Sequence, residues 1–407
     1  MSKIDAIIKT VKDNLADVKD NFLIITDEDV WLDYCRQAVK DGLVAIDTET
    51  SGLDNFLDKV AGVCIQSPSQ KPAYVPVGHI NNITEKLETT QISKEALIKG
   101  IQILLDGKTK NIFHNYYFDA VVIYVYTGIL LPCFWDTQEA SKMLDENGSH
   151  SLKDLYSTLC TEGKAGVHKF KELFDGIPIN YIPYKIAGIY SAHDAEMTLQ
   201  LYYFQRPFFT KGEEECEEYE LERVSDLYFD TELPCLDVLV DMKIRGIELD
   251  IERNRELKET YTKLKDEAYE RYIKICDKIK DKIELYNKNN SPIEYPPNYK
   301  SPLQMVVVFY KILGGKPFSK KEKDNHCTGK KALKNWVKNG LEDLKEMAQA
   351  VIDVKSYDKC ISDFIDKLYE DAIRHNGKVH ANFNLNGAKT GRLSSNGPKQ
   401  NWGLKRG

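Results

Sequence analysis

Three short stretches hold residues whose types and spacing could do chemistry. The first is Asp47-Thr48-Glu49, at the end of the apolar run Leu43-Val44-Ala45-Ile46. In an extended strand, alternate side chains share a face, so Asp47 and Glu49 stand about 7 Å apart on one side. Neighbouring carboxylates repel unless a cation neutralises them. Hard oxygen ligands of this kind suit Mg²⁺ or Mn²⁺. The second stretch, His114 to Asp119, passes from strand to helix and supplies another carboxylate, Asp119. The third, Tyr190-Ser191-Ala192-His193-Asp194, opens an apolar helix. Tyr190 and Asp194, four apart, share a helix face. Each stretch also has a plain reading, as a polar strand end, a helix start or a packed aromatic; the three together favour the chemical one.

The elements that must position these residues follow from periodicity. Residues 1–20 have a helical stripe that includes Ile7, Val11, Leu15 and Val18. Strands are predicted at 43–50, 59–66 and 73–78, a further strand at 111–115, and helices at 92–106, 117–127, 136–144, 150–160 and 188–205. Strands followed by strand–helix alternation make an α/β domain. Beyond residue 210 the pattern becomes helical. A solvated acidic helix is predicted at 213–222 and a long Lys- and Glu-rich helix at 251–288. The prolines of Ser291–Pro302 then break the chain. A short apolar helix is expected at 303–313 and a long amphipathic one at 341–375, stopped by Asn376-Gly377.

In that order, D-x-E, N-x-x-x-D and Y-x-x-x-D resemble the three motifs of the DEDDy proofreading exonucleases. A DEDDh enzyme would need His five residues before Asp194, and that position is Ile189. The resemblance implies a ribonuclease H-like fold and 3′→5′ hydrolysis of a phosphodiester with two Mg²⁺ or Mn²⁺ ions. It implies that Asp47, Glu49 and Asp194 hold one ion and that Asp47 and Asp119 serve the other. Tyr190 would orient the attacking water, because a phenol is a poor base at neutral pH. Leu53 would wedge beside the terminal base, with plain core as its alternative, and Asn115 would lie near the terminal nucleotide.

The second half resembles the DNA polymerase I family, the family A DNA polymerases. Thr231–Leu236 and Arg245–Asp250 look like the segment leading into its palm, although Cys235 separates Pro234 from Leu236. Ser301-Pro302-Leu303-Gln304 looks like the start of its thumb helix, with Ser301 as cap. Thr390-Gly391-Arg392-Leu393-Ser394-Ser395, followed by Asn396–Asn401, matches the start of its palm. Arg392 would contact the primer–template duplex. The lysine cluster Lys316, Lys320, Lys321, Lys323, Lys330, Lys331, Lys334 and Lys338 would be the thumb tip that grips phosphate, with a solvated loop as its alternative.

The expected organisation is an N-terminal helix over 1–21, the exonuclease over 22–210, a palm-leading segment and a mostly α-helical thumb over 211–376, and a truncated palm from 377 to 407. The later polymerase motifs are absent from these 407 residues. Polymerisation by this chain alone is therefore not expected. Two readings of the end stay open, a fragment or a naturally split, phage-like polymerase completed by a second chain carrying palm and fingers. In the second case the chain could be a non-catalytic assembly subunit. A free-standing exoribonuclease similar to ribonuclease D is the remaining alternative.

Composition agrees with a polarised nucleic-acid enzyme. The net charge is −7, yet residues 251–340 carry 21 Lys and Arg against 12 Asp and Glu, and residues 377–407 carry six bases and no acid. Apolar residues make up 42%, enough for packed cores, and charged residues 29%. No apolar run is long enough for a membrane helix, and the N-terminus has no signal-like apolar stretch. The nine cysteines form no C-x-x-C pair. They read as free thiols in a reducing compartment, so a cytoplasmic site of action is expected (the host cytoplasm if phage-encoded).

Overall fold

The structure is a computed structural model that describes residues 3–14, 21–81, 84–163, 168, 170–317, 327–385, 387–388 and 391–396. Leu15, Val18, Lys320, Lys321, Lys323, Thr390 and residues 397–407, which carry some of the expectations above, lie outside the described residues. The chain forms two compact units. One comprises residues 1–246 and 380–407, the other residues 247–379.

The first unit is built on a six-stranded mixed sheet. Its strands are β1 (Leu23–Ile24), β2 (Leu43–Thr50), β3 (Val60–Gln66), β4 (Ala73–Pro76), β5 (Lys110–Phe113) and β6 (Trp135–Asp136), in the order β1-β4-β3-β2-β5-β6. β2 runs antiparallel to β3 and parallel to β5, so it is central and its apolar start is buried on both faces. Helices α1 (Lys3–Asn14), α2 (Glu28–Asp41), α3 (Lys94–Asp106), α4 (Tyr116–Thr127), α5 (Thr137–Leu144), α6 (Leu152–Leu155), α7 (Phe170–Phe174) and α8 (Tyr184–Phe209) complete this part.

Two apolar clusters sandwich the sheet. One packs Trp31, Leu97, Ile101, Val121 and other side chains of α2, α3 and α4 against Val44, Ile46, Ile65 and Phe113. The other packs Tyr190, Ala192 and Ala195 of α8, with Phe174, against Ala61, Cys64 and Tyr74. The predicted strands and helices of residues 43–144 fall within one to three residues of their observed ends. The helix predicted at 188–205 is longer, Tyr184–Phe209. The helix α2 has no counterpart among the predicted elements. Asp27 caps it, its side chain accepting from Val30 N, and its Gly42 stop adopts φ 72°.

Helices α9 (Glu214–Glu218), α10 (Glu222–Leu227) and α11 (Leu233–Arg245) belong to the same unit. The predicted acidic helix is thus interrupted. The charge boundary read at 210/211 differs from the compactness boundary at Gly246, because Tyr228, Leu233, Leu236 and Leu239 bury into the apolar cluster that packs on β2.

The second unit is mostly helical, as expected. A two-residue pair of strands, β7 (Ile247–Glu248) and β8 (Lys378–Val379), closes it. Between them lie α12 (Ile251–Lys278), α13 (Lys280–Asn289), α14 (Pro302–Val306), α15 (Lys330–Asn339), α16 (Glu342–Lys359) and α17 (Lys367–Arg374). The single helix predicted at 251–288 breaks at Ile279, whose buried side chain joins the core with Tyr272, Cys276 and Ile283. Trp336 of α15 stacks on Phe309 at 4.7 Å and donates from its indole N–H to Lys316 O at 3.1 Å. Ser301 caps α14 as expected, accepting from Gln304 N.

The last described strands, β9 (Asn382–Asn384) and β10 (Ser394–Asn396), pair antiparallel in the first unit. Tyr117 of α4 anchors them: its hydroxyl donates to Ala381 O and accepts from Phe383 N, each at 3.2 Å.

Candidate active site

The sheet face covered by α8 carries the carboxylates. Strand β2 presents Asp47 and Glu49 there, opposite Cys64 and Gly62 of β3. Gly62 is required by packing, since a Cβ at that position would lie 2.5 Å from the Tyr74 ring. The ligand atoms of Asp47, Glu49 and Cys64 all lie within 4.8 Å of one another. Ser191 of α8 donates its hydroxyl to Glu49 Oε1 at 2.8 Å.

Asp119 reaches the cluster from α4 and is 2% exposed. Thr48 donates to its Oδ1 from both its backbone N–H (3.0 Å) and its hydroxyl (2.5 Å). The start of α4 is itself fixed by Asp136, whose carboxylate accepts from Asn115 N at 3.3 Å and Tyr116 N at 2.7 Å. Asn115 adopts φ 76°, a left-handed conformation that asparagine tolerates. Asp136 also caps α5, so one buried carboxylate sets two helix starts.

Tyr190 and Asp194 project from α8 and are 8% and 7% exposed. Phe174 packs edge-on against Tyr190 at 5.3 Å and fixes the ring. The Asp194 carboxylate pairs with the Lys153 ammonium, which lies 4.1 Å from the centroid of the Tyr190 ring.

The electrostatics describe a site short of positive charge. Burial and then the Asp194 charge raise Asp47 above the usual carboxylate range. Burial, Asp47 and Asp194 raise Glu49, against the Ser191 hydrogen bond and the Lys153 charge. Burial and Asp47 raise Asp119, against the two Thr48 hydrogen bonds. Burial, then Asp194, Glu49 and Asp47, push the Tyr190 phenol far above its ordinary value. Mutually repelling buried carboxylates are the donor set that a hard divalent ion satisfies. The residues present therefore fit Mg²⁺ or Mn²⁺, with the Cys64 thiol on one wall as the single soft atom.

All five motif residues, Asp47, Glu49, Asp119, Tyr190 and Asp194, are thus brought to one electrostatically connected cluster. His193 stands apart from them, paired with Glu196 at 2.8 Å. Leu53 is 54% exposed, so it is no core residue. Arg392 is exposed in the loop before β10, in the same compact unit. Lys330 and Lys331 are exposed on the first turn of α15, in the other unit. They lie on a helix rather than in a loop.

Sequence reasoning missed four contributors. Lys153 carried no motif; its signal is a lone cation just inside a helix capped by Ser151. Cys64 could have been found from the strand register opposite Asp47. Ser191 and Thr48 stand inside the motifs, as spacers whose hydroxyls turn out to face carboxylates.

Two family models match the chain. The first, 3′-5′ exonuclease, matches residues 22–207, and the second, DNA polymerase family A, matches residues 265–402. DNA polymerase I of Pseudomonas aeruginosa is 27% identical over 385 residues, covering 91% of this chain and 37% of that protein. The DNA polymerase of Escherichia phage T5 is 25% identical over 399 residues, covering 92% and 42%. Among solved structures, the POL domain of Pol1 from M. smegmatis, in complex with DNA primer-template and dNTP, superposes with a TM-score of 0.59 at 18% identity. That match covers 89% of this chain and 53% of that one. The chain spans about two fifths of the length of these two curated relatives.

Proposed function

The chain belongs to the family A DNA polymerases, and from that premise we propose that its first unit removes 3′-terminal nucleotides from DNA by two-metal-ion hydrolysis. The observation that carries this reading is the convergence of Asp47, Glu49, Asp119, Asp194 and Tyr190 on one partly buried wall, where burial and then neighbouring carboxylates raise Asp47, Glu49 and Asp119. Asp47, Glu49 and Asp194 would hold one Mg²⁺ or Mn²⁺, and Asp47 with Asp119 the other. Bound there, the ions would supply Lewis acidity to the scissile phosphodiester.

The chain's own residues do the rest. Thr48 aims Asp119, and Ser191 aims Glu49. Tyr190 keeps its proton at neutral pH, because burial and three carboxylates disfavour the phenolate. Its hydroxyl therefore orients the attacking water by hydrogen bonding and does not act as the base. Leu53, exposed on the turn after Glu49, offers an apolar surface to the terminal base. Asn115, held left-handed by Asp136, faces the terminal nucleotide. Residues 377–407 hold no Asp or Glu, so no second acidic metal site is built from them. Hydrolysis at Asp47, Glu49, Asp119 and Asp194, not nucleotide addition, is the chemistry we ascribe to the described residues. Arg392 would contact the primer–template duplex in its minor groove near the primer terminus, and Lys330 and Lys331, in the other unit, would contact duplex phosphates.

The test uses the purified chain with a 3′-labelled single-stranded DNA and an RNA of the same sequence. Release of mononucleotides from DNA with Mg²⁺ or Mn²⁺, stopped by EDTA, and no extension of a primer–template with dNTPs are expected. Folded protein that releases nothing with either ion would overturn the reading, and preferential release from RNA would replace its substrate.

A further inference from the structure

Lys153 is the one cation placed among the carboxylates of the described residues, and none of the three motifs includes it. It sits on α6, whose cap is the Ser151 side chain accepting from Asp154 N at 3.3 Å. Its ammonium pairs with Asp194 Oδ1, and the two side chains are 12% and 10% exposed. The same ammonium lies against the face of Tyr190, 4.1 Å from the ring centroid, a favourable cation–π distance. Its charge also acts on Asp47 and Glu49, in the sense opposite to their mutual repulsion. One flexible side chain therefore touches two motif residues and is felt by two more.

We propose that Lys153 is a resident counter-ion that competes with divalent ions for Asp194 and so sets the ion concentration at which the site fills. The inference rests on reading the carboxylates as a divalent-ion site. The physical argument has two sides. In the ion-free state the cluster carries more negative charge than a buried pocket sustains, and Lys153 neutralises part of it. Paired with Asp194 and lying on the face of the Tyr190 ring, it holds both motif residues in place before an ion arrives. When a divalent ion takes Asp194 Oδ1, the ammonium must leave that oxygen. Its stem is anchored on α6, so it remains near a doubly charged neighbour and is repelled by it. Ion affinity is lower than the carboxylates alone would give, and the free site stays ordered.

This makes Lys153 a positioning residue with an unusual signature. Removing a residue that merely shapes a site weakens ion binding. Removing Lys153 strengthens it, because the competing charge is gone. Lys153→Met keeps the length and apolar stem of the side chain, and Lys153→Arg keeps the charge.

The experiment is calorimetric titration of Mn²⁺ into the full chain in EDTA-stripped buffer, without DNA, for the wild type, Lys153→Met, Lys153→Arg and Asp47→Ala. Circular dichroism and thermal melts confirm folding of each. Lys153→Met is expected to bind Mn²⁺ at least tenfold more tightly than wild type, and Lys153→Arg within threefold of it. In the ion-free state Lys153→Met should melt lower than wild type, and saturating Mn²⁺ should raise its melting temperature by more. Equal or weaker Mn²⁺ binding by folded Lys153→Met, while Asp47→Ala abolishes binding, would overturn the role of Lys153 and leave the ion site standing. Unchanged binding in Asp47→Ala would instead remove the ion site itself. If Lys153→Met does not fold, Lys153→Gln carries the same comparison.

Discussion

Thr48 donates twice to one oxygen of Asp119, through its backbone N–H at 3.0 Å and its hydroxyl at 2.5 Å. The residue between the two carboxylates of the first motif thus aims the carboxylate of the second. Both bonds end on Oδ1, which leaves Oδ2 available to a ligand. Thr48→Val keeps the β-branched shape that suits a central strand and removes the hydroxyl alone. Loss of such an outer partner typically costs 10- to 100-fold in metal affinity or activity. Nuclease turnover in Thr48→Val is expected to fall by about that factor, and Thr48→Ser to recover most of it. Single-turnover rates on a labelled oligonucleotide measure both.

Asp47 lies at the centre of the charge network, since its charge acts on Glu49 and Asp119 and Asp194 acts on it. Asp47→Ala removes a ligand to both proposed ions, and release of nucleotides should drop to background. The same change relieves repulsion among the remaining carboxylates. Its melting temperature in EDTA is therefore expected to equal or exceed that of the wild type. A variant that is inactive because it is unfolded would melt lower, so the two measurements together separate chemistry from stability.

The three motifs were legible because catalytic spacing is local. Period two places Asp47 beside Glu49, and four residues of helix place Tyr190 above Asp194. What joins the motifs is long-range and carries no pattern. Lys153 reaches Asp194 across 41 residues, and Thr48 reaches Asp119 across 71. The sheet order, with β2 between β3 and β5, and the packing of α6 against α8 bring them together. The helix α2 was missed although Asp27 and Gly42 mark both its ends, because the apolar strands on either side dominate the local pattern. The helix under the lysines at 330, 331, 334 and 338, read as a thumb tip with a solvated loop as its alternative, was hidden for a different reason. Charge dominates that stretch, while Ala332, Leu333 and Trp336 hold its buried helical face.

Tyr190 offers a test of orientation against base catalysis. Its phenol is held far above ordinary values by burial and three carboxylates. If it only orients water, Tyr190→Phe should lower turnover by about 10- to 100-fold and leave the shape of the pH–rate profile unchanged up to about pH 9, a phenol ordinarily ionising near 10. A wild-type rate that climbs tenfold per pH unit toward alkaline pH, and loses that climb in Tyr190→Phe, would assign Tyr190 the base instead.

His79 links the fold to acid. Its ring is fully buried, with Nδ1 at 2.8 Å from Ile182 O and Nε2 at 2.6 Å from the Tyr74 hydroxyl. Burial pushes its imidazole down to about 4. The unfolded chain, with a value near 6.5, therefore binds more protons between these two pH values. Stability from this group is complete above about pH 6.5 and declines as pH falls toward 4. The loss amounts to about 3 kcal/mol at most. Urea unfolding between pH 7 and 4 should show a steeper decline for wild type than for His79→Gln, whatever the absolute stability of the variant. Parallel declines would place the acid sensitivity elsewhere.

Lys330 and Lys331 open α15 with exposed side chains. A helix start is an unfavourable place for cations, because the backbone dipole is positive there. Two lysines at such a position are expected to cost helix stability unless something anionic offsets them, and duplex phosphate is the anion the proposed function supplies. Exchanging both for Gln removes the charge and keeps helix propensity. Affinity for a primer–template should then fall, and the slope of log K against log salt should decrease by about one for each phosphate that is no longer neutralised. Release of nucleotides from a short single strand should stay near the wild-type rate, because both lysines lie outside the unit that carries the carboxylates. A melting temperature that rises in the double variant, with duplex affinity and salt slope unchanged, would instead mark the pair as a solvated surface feature.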